Sequence, residues 1–265
     1  MAEYPLYEMS SFSRSGETLM LRCLQAHPDI EVISQIREPD EERDVDLFWS
    51  VINKGKLAID AADPLTAHRS PHPGTRFIVK NFAWTTRGHR QGFVLIRNPF
   101  SVVVSAHRHT EDPKKEAKQR AQQIRWCRNI DKLMVPFIES IDNLTAYLAL
   151  YNRKMMHDRR SGMPFVRYED FVSDPETWLR KIIAHLGLEW SPRVLESHLD
   201  YKEGETGHGG IKLWQPINMG SMDKYKALEP ELASKVYSLT QDVLRVYGYR
   251  WNGDEIKLVN AKGLL

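Results

Sequence analysis

Hydrophobic positions along the chain fall into short unbroken runs separated by longer stretches of helical spacing. Residues 6–12 have strand character, with Leu6, Met9 and Phe12 as apolar anchors, and Leu19, Met20, Cys23 and Leu24 then recur on one helix face. His27-Pro28-Asp29 stops that helix, and residues 30–33 predict a second strand. The runs Phe77-Ile78-Val79 and Phe93-Val94-Leu95-Ile96 are apolar throughout, as expected of parallel strands buried on both faces. Each ends on a base, Lys80 or Arg97. The polar run 37–44 reads as loop ahead of a helical patch at Leu47-Phe48-Trp49, and the prolines and glycine of 60–76 mark an exposed connection.

A helix is predicted over 101–107. Beyond the charged stretch 111–128, Met134, Phe137, Ile141, Leu144, Leu148 and Tyr151 carry a long helical period. Residues 163–168 predict a strand, and Asp174-Pro175 opens a helix with Trp178, Ile182, Ile183 and Leu186 on one face, closed by Gly187. A last helix is predicted over 230–247, with Gly248 as its stop. Strands alternating with helices predict one α/β domain over residues 1–265. Its central, mostly parallel sheet is flanked by helices, with ligands at the carboxyl ends of the strands.

Charge and cysteine content narrow the partners. Thirty-seven basic against 35 acidic residues leave a net charge of +2, so no nucleic acid is expected as a partner and any anion site must be local. The first ten residues hold no apolar run of signal or membrane-spanning length, and two cysteines are too few for a disulfide scaffold. These features predict a cytoplasmic protein with free, buried thiols and no membrane span.

The chemistry concentrates in two places. Ser13-Arg14-Ser15-Gly16-Glu17-Thr18 lies between the first strand and the first helix, where uncapped backbone N–H groups, the helix dipole, a guanidinium and hydroxyls together suit a phosphate. No second glycine precedes a Gly-Lys-Ser/Thr sequence, which weakens a kinase or ATPase reading. Taken alone, the same turn also fits an ordinary helix cap with a surface arginine. Arg97 ends a strand, and Ser105 follows about two helical turns later, so both can face the mouth of the sheet and hold a second phosphate. An arginine after a buried strand is equally compatible with a solvated terminus.

Together these segments resemble the family of sulfotransferases that use 3′-phosphoadenosine 5′-phosphosulfate (PAPS). The likeness extends through Tyr168-Glu169-Asp170, Asp174-Pro175 and Leu186-Gly187 to Tyr247-Gly248-Tyr249, covering residues 6–250. It implies a fold related to P-loop nucleotide kinases. It assigns Arg14, Ser15, Gly16, Glu17 and Thr18 to the 5′-phosphosulfate, Arg97 and Ser105 to the 3′-phosphate, and Tyr168 to the neighbourhood of the adenosine. The stretches 18–28 and 215–225 are most similar to the protein-tyrosine and related Golgi-type branch, which makes Lys224 a donor ligand as well. The family places a catalytic lysine after the strand that Lys80 ends, and Arg14, Lys80, Arg97 and backbone N–H groups balance the leaving group's charge without a metal.

The base that activates the acceptor departs from the family pattern. Cytosolic members have a histidine two residues after the lysine, where this chain has Phe82, and Golgi-type members have a glutamate to which Glu38 is the nearest, slightly displaced match. Glu38 is the expected base, with Glu17 and His107 as rivals. His107 and His109 are close in sequence but lack the carboxylate or cysteine companions of a metal site. The basic run from Arg108 to Arg128 either borders an acidic acceptor or, with acids interspersed, forms a solvated helix face. The acceptor class stays open among small molecules, glycans, lipids and peptides. An ATP-dependent phosphotransferase and a non-catalytic nucleotide-binding module stand as alternatives.

Overall fold

The computed structural model describes residues 2–33, 56–59, 71–81, 91–107 and 113–265. Its main sheet runs in the order β2 (Ile30–Val32), β4 (Arg76–Asn81), β1 (Ala2–Ser11), β5 (Gly92–Ile96) and β6 (Phe165–Arg167), all parallel. A further strand, β3 (Lys56–Ile59), pairs antiparallel with the start of β1, from Ala2 opposite Ile59 to Pro5 opposite Lys56. β1 is central because its later residues bond on both sides: Leu6 to Ser10 lie against Phe77 to Asn81, and Glu8 to Ser11 against Gly92 to Leu95.

The unbroken apolar runs are explained by two cores, one on each face of the sheet. Side chains alternate along a strand, so Phe93 and Leu95 of β5 enter one core while Val94 and Ile96 enter the other. The first core is closed by α1 (Glu17–Gln25), α6 (Tyr168–Ser173) and α7 (Pro175–His185), through Met20, Leu24, Phe171, Leu179 and Ile182. The second is closed by α2 (Pro99–His107), α3 (Pro113–Asp131), α4 (Val135–Ser140), α5 (Asn143–Arg160) and α8 (Pro230–Val246). Asp174 caps α7 by accepting from the Thr177 N–H at 3.3 Å, with Pro175 in the first turn, as its sequence foretells. Both cysteines are free and buried.

A buried ion pair ties the second core to the central strand. Lys154 and Asp158, one turn apart on α5, are fully buried, with Lys154 Nζ 2.7 Å from Asp158 Oδ2. The Ser10 hydroxyl at the end of β1 donates to the same carboxylate at 2.8 Å. Unpaired, either charge would be costly at that depth, so the pair fixes α5 against β1.

Three expectations need correction. The helical period through 134–151 is not one helix: Met134 closes a 3-10 turn, Lys132–Met134, capped by Asp131, and a break at Asp142 divides the rest between α4 and α5. The strand predicted over 163–168 contracts to β6, because Tyr168 already begins α6. The C-terminal segment adds an unpredicted hairpin, β7 (Tyr249–Trp251) with β8 (Ile256–Leu258). The polar run 37–44 and the helical patch at 47–49 lie outside the described residues, as does most of the connection 60–76. Among the described residues, no helix is long and apolar enough to cross a membrane.

Candidate active site

The phosphate-type turn sits at the carboxyl end of β1. Its chain reverses over residues 13–16, with Ser15 N–H donating to the Phe12 carbonyl at 3.2 Å. Arg14 adopts φ 73°, the only non-glycine with positive φ among the described residues. That left-handed backbone is disfavoured for an arginine and is held by its surroundings. Gly16, at φ 95°, precedes α1 and supplies no side-chain cap, which leaves the first-turn N–H groups of a nine-residue helix available to an anion. No other residue fits here, since a Cβ on Gly16 would lie 2.3 Å from Tyr168 Cδ2.

Arg97 follows β5 directly and reaches the same place. Its guanidinium lies 4.4 Å from the centre of the Tyr168 ring and donates to the Ser221 carbonyl at 2.6 Å and the Arg14 carbonyl at 3.4 Å. Tyr168 is held as well, its hydroxyl 2.6 Å from Ser221 Oγ. Beneath them, Asn98 caps α2 by accepting from Ser101 N–H at 2.7 Å, and Glu169 accepts from the Asn98 N–H at 3.0 Å and from the Tyr249 hydroxyl at 2.8 Å. The arginine is therefore mounted on a rigid base.

A third segment, residues 207–224, covers the opening. Arg22 of α1, only 1% exposed, donates to Ser197 Oγ at 3.1 Å and to the carbonyls of Leu213 and Gln215 at 2.7 and 2.8 Å. Gly207 presses against α1 so closely that a Cβ there would meet Thr18 Cγ2 at 2.9 Å. Between this cover and the strand ends lies a cavity of about 270 Å³.

The cavity brings together Arg14, Gly16, Glu17, Thr18, Lys80, Arg97, Ser105, Tyr168 and Lys224, nine of the residues singled out from sequence. Ser15 does not reach its wall and is fully buried, its hydroxyl without a partner among the described residues. Glu38 and His109 lie outside the described residues. Arg97 Nε and Arg22 NH2 are also buried and have no partner among the described residues. Buried guanidinium N–H groups without partners, on two residues that line the cavity, fit a nearby anionic ligand.

The sequence profile of the sulfotransferase family matches residues 92–192, the span that holds Arg97, Ser105 and Tyr168. Protein-tyrosine sulfotransferase 1 of Danio rerio is 20% identical over 279 residues, covering 93% of this chain and 73% of its own length. The chain is thus similar to the sulfotransferase family over this span. Protein-tyrosine sulfotransferase of Drosophila melanogaster is 22% identical over 93% of the chain, which spans about half, 52%, of that relative's length. Among solved structures, the sulfotransferase domain of the Synechococcus PCC 7002 olefin synthase shares the fold, with a TM-score of 0.56 at 15% identity, covering 94% of this chain and 96% of its own.

The likeness runs to the protein-tyrosine side of the sulfotransferases and supports sulfuryl transfer as the general class of reaction. They also overturn the cytoplasmic placement, because protein-tyrosine sulfotransferases form the Golgi-type branch. The early segment and the two thiols that suggested a cytoplasmic protein carry no such address.

Electrostatics in the cavity centre on Glu17. Its carboxylate is the one acid on the cavity wall among the described residues. Burial pushes the carboxyl above its ordinary range, against the opposing pull of Lys80, the backbone N–H groups and Arg14. Folding therefore binds a proton more tightly at Glu17, and the associated stability, present below the ordinary carboxylate range, is lost as pH rises through the raised value. Glu17→Gln is expected to melt above the wild type at about pH 8 and to converge with it below about pH 4. Melting curves across that range check this, and a gap independent of pH would contradict it.

Sequence reasoning missed Arg22 and the cover contributed by His208, Lys212, Gln215, Asn218 and Ser221. The basic run on α3 takes its plainer reading where described: Lys114, Lys118, Arg125 and Arg128 are exposed, with the exposed Glu116 among them. Trp126 packs against the second core, its ring 5.9 Å from that of Phe12, and also lines the cavity.

Proposed function

We propose that this enzyme transfers the sulfuryl group of PAPS to a hydroxyl acceptor without a metal, and that residues 1–265 act as one domain. The observation that supports the donor is the convergence of Arg14 and Arg97, 83 positions apart, on one cavity whose buried guanidinium N–H groups stand open. The turn of Arg14, Gly16 and Thr18 with the first N–H groups of α1 holds the 5′-phosphosulfate. Arg97 and Ser105 hold the 3′-phosphate, with Lys224 as a further cation. Tyr168, stacked under Arg97, borders the adenosine.

The acceptor oxygen bonds to sulfur as the bond from sulfur to the 5′-phosphate oxygen breaks, leaving the electron pair on that oxygen. Lys80, 5% exposed at the end of β4, meets the growing charge. The acceptor's proton goes to a base. Glu17 is unsuited, because burial already favours its protonated form and bound phosphates favour it further. Glu38 is the base in this reading.

Incubation with PAPS carrying labelled sulfur, together with a panel of alcohols and phenols, tests the reaction. Labelled sulfate esters and equimolar adenosine 3′,5′-bisphosphate are expected, in the presence of a metal chelator. Label that remains on the nucleotide with every acceptor, or transfer that stops on chelation, would contradict it.

A further inference from the structure

A second cavity, of about 340 Å³, adjoins the first and takes no part in the donor site described above. Ser13, Arg14, Trp126 and His208 line both cavities, so a molecule in the second abuts the turn assigned to the 5′-phosphosulfate. Its volume is in the range of small-molecule sites. One part of its wall is aromatic and apolar: the Trp126 and Tyr147 rings, centroids 6.4 Å apart and tilted 48° to one another, beside Val103, Ala106 and Leu144. Tyr147 is fixed by a hydrogen bond from its hydroxyl to the Ser13 carbonyl at 3.1 Å, which anchors this wall to the same turn.

The polar part of the wall is more selective. Gln123 is 4% exposed, and its amide N–H donates to the Asn143 carbonyl at 3.1 Å, which settles which end of the amide is oxygen. That oxygen, Oε1, is buried without a partner among the described residues. It calls for a ligand that donates an O–H or N–H. Two carboxylates, Glu116 and Asp142, also line the cavity. Burial works against ionisation of Asp142, but hydrogen bonds from the Thr145 hydroxyl and N–H and the pairing with Lys235 at 3.1 Å prevail and hold it at about 2. Lys235 is 44% exposed and offsets part of that charge, while Glu116 accepts from Asn143 Nδ2 at 3.1 Å. Among the described residues, the one lysine or arginine on this wall is Arg14, which faces the donor as well.

Resting on the PAPS reading above, we propose that the second cavity seats the acceptor and selects an uncharged, ring-bearing alcohol with a further hydrogen-bond donor, read by Gln123, while turning away anionic acceptors. An acidic peptide or a carboxylated glycan would bring negative charge against Glu116 and Asp142, and among the described lining residues the one arginine or lysine to meet it is Arg14, which the donor engages.

The test uses the full chain with 2,6-dihydroxynaphthalene, 2-naphthol and 6-hydroxy-2-naphthoate as acceptors, and melting with adenosine 3′,5′-bisphosphate as a control. The dihydroxy compound is expected to give the lowest KM, and the carboxylate at least a ten-fold lower kcat/KM. Gln123→Leu is expected to raise the KM of the dihydroxy compound about ten-fold and erase its advantage over 2-naphthol, with the bisphosphate melting shift unchanged. Leu144→Trp, which fills the cavity, is expected to raise KM for both neutral acceptors with the same control intact. A bisphosphate shift in the wild type with equal turnover of the carboxylate, with no turnover of any of the three, or with KM unmoved in both variants would overturn the acceptor site and leave the donor reading standing. Absence of the wild-type shift would overturn the donor reading and the acceptor site with it.

Discussion

Lys80→Ala is expected to slow turnover by about 10²–10³-fold while binding adenosine 3′,5′-bisphosphate within a few-fold of the wild type. The asymmetry follows from position. Lys80 ends β4, buried on the cavity wall beside the turn that carries Glu17, whose carboxyl feels its charge. A cation placed where charge develops stabilises the transition state more than the ground state, so its loss falls on kcat. Binding rests mainly on Arg14, Arg97 and the backbone N–H groups, which the substitution leaves in place. Removing Lys80 also withdraws the strongest attraction holding Glu17 ionised, so the variant is best assayed across a pH range. Lys80→Arg should recover part of the rate, because it restores charge with a different shape. Turnover at the wild-type level in the alanine variant would remove Lys80 from the mechanism.

A single methyl group at Gly16 is expected to weaken bisphosphate binding by about 100-fold or more, without unfolding the protein. The left-handed backbone at φ 95° alone disfavours alanine by about 1–2 kcal/mol. The contact is the harsher constraint, since the new Cβ would sit 2.3 Å from the ring of Tyr168 and one of the two must move. Tyr168 stacks under Arg97 and bonds Ser221, so displacing it disturbs Arg97 as well as the turn itself. One substitution thus reaches both phosphate sites. Titration calorimetry with the bisphosphate, alongside far-ultraviolet circular dichroism, checks the expectation, and an unchanged dissociation constant in a folded variant would contradict it.

The legible parts of this molecule are those whose cause is local. Phe77 to Val79 and Phe93 to Ile96 announce strands covered on both faces, and the two cores divide their side chains accordingly. Asp174-Pro175 announces α7 through cap chemistry confined to a few residues. The turn from Ser13 to Thr18 is legible for the same reason, since strand end, glycine and helix start are consecutive. By contrast, β3 is a four-residue segment, Lys56–Ile59, too short for an alternation to declare itself, and its pairing is set by β1. Arg22 reads as an ordinary polar residue of an amphipathic helix. Its partners are Ser197 Oγ and two carbonyls, 175, 191 and 193 positions away, and a backbone carbonyl has no sequence signature. The cover from His208 to Lys224 escaped for that reason, and with it the boundary between the two cavities. Lys224 alone was found there, through resemblance rather than physics.

The account depends on one ligand being gripped at both phosphates. Calorimetry of the wild type and Arg97→Ala with adenosine 3′,5′-bisphosphate, adenosine 5′-phosphate and adenosine 3′-phosphate tests that most directly. The expected result is that the bisphosphate binds the wild type at least ten-fold more tightly than either monophosphate, and that Arg97→Ala removes its advantage over the 5′-phosphate while retaining the advantage over the 3′-phosphate. Equal affinity of the wild type for all three nucleotides, or a bisphosphate preference that survives the loss of Arg97, would contradict it.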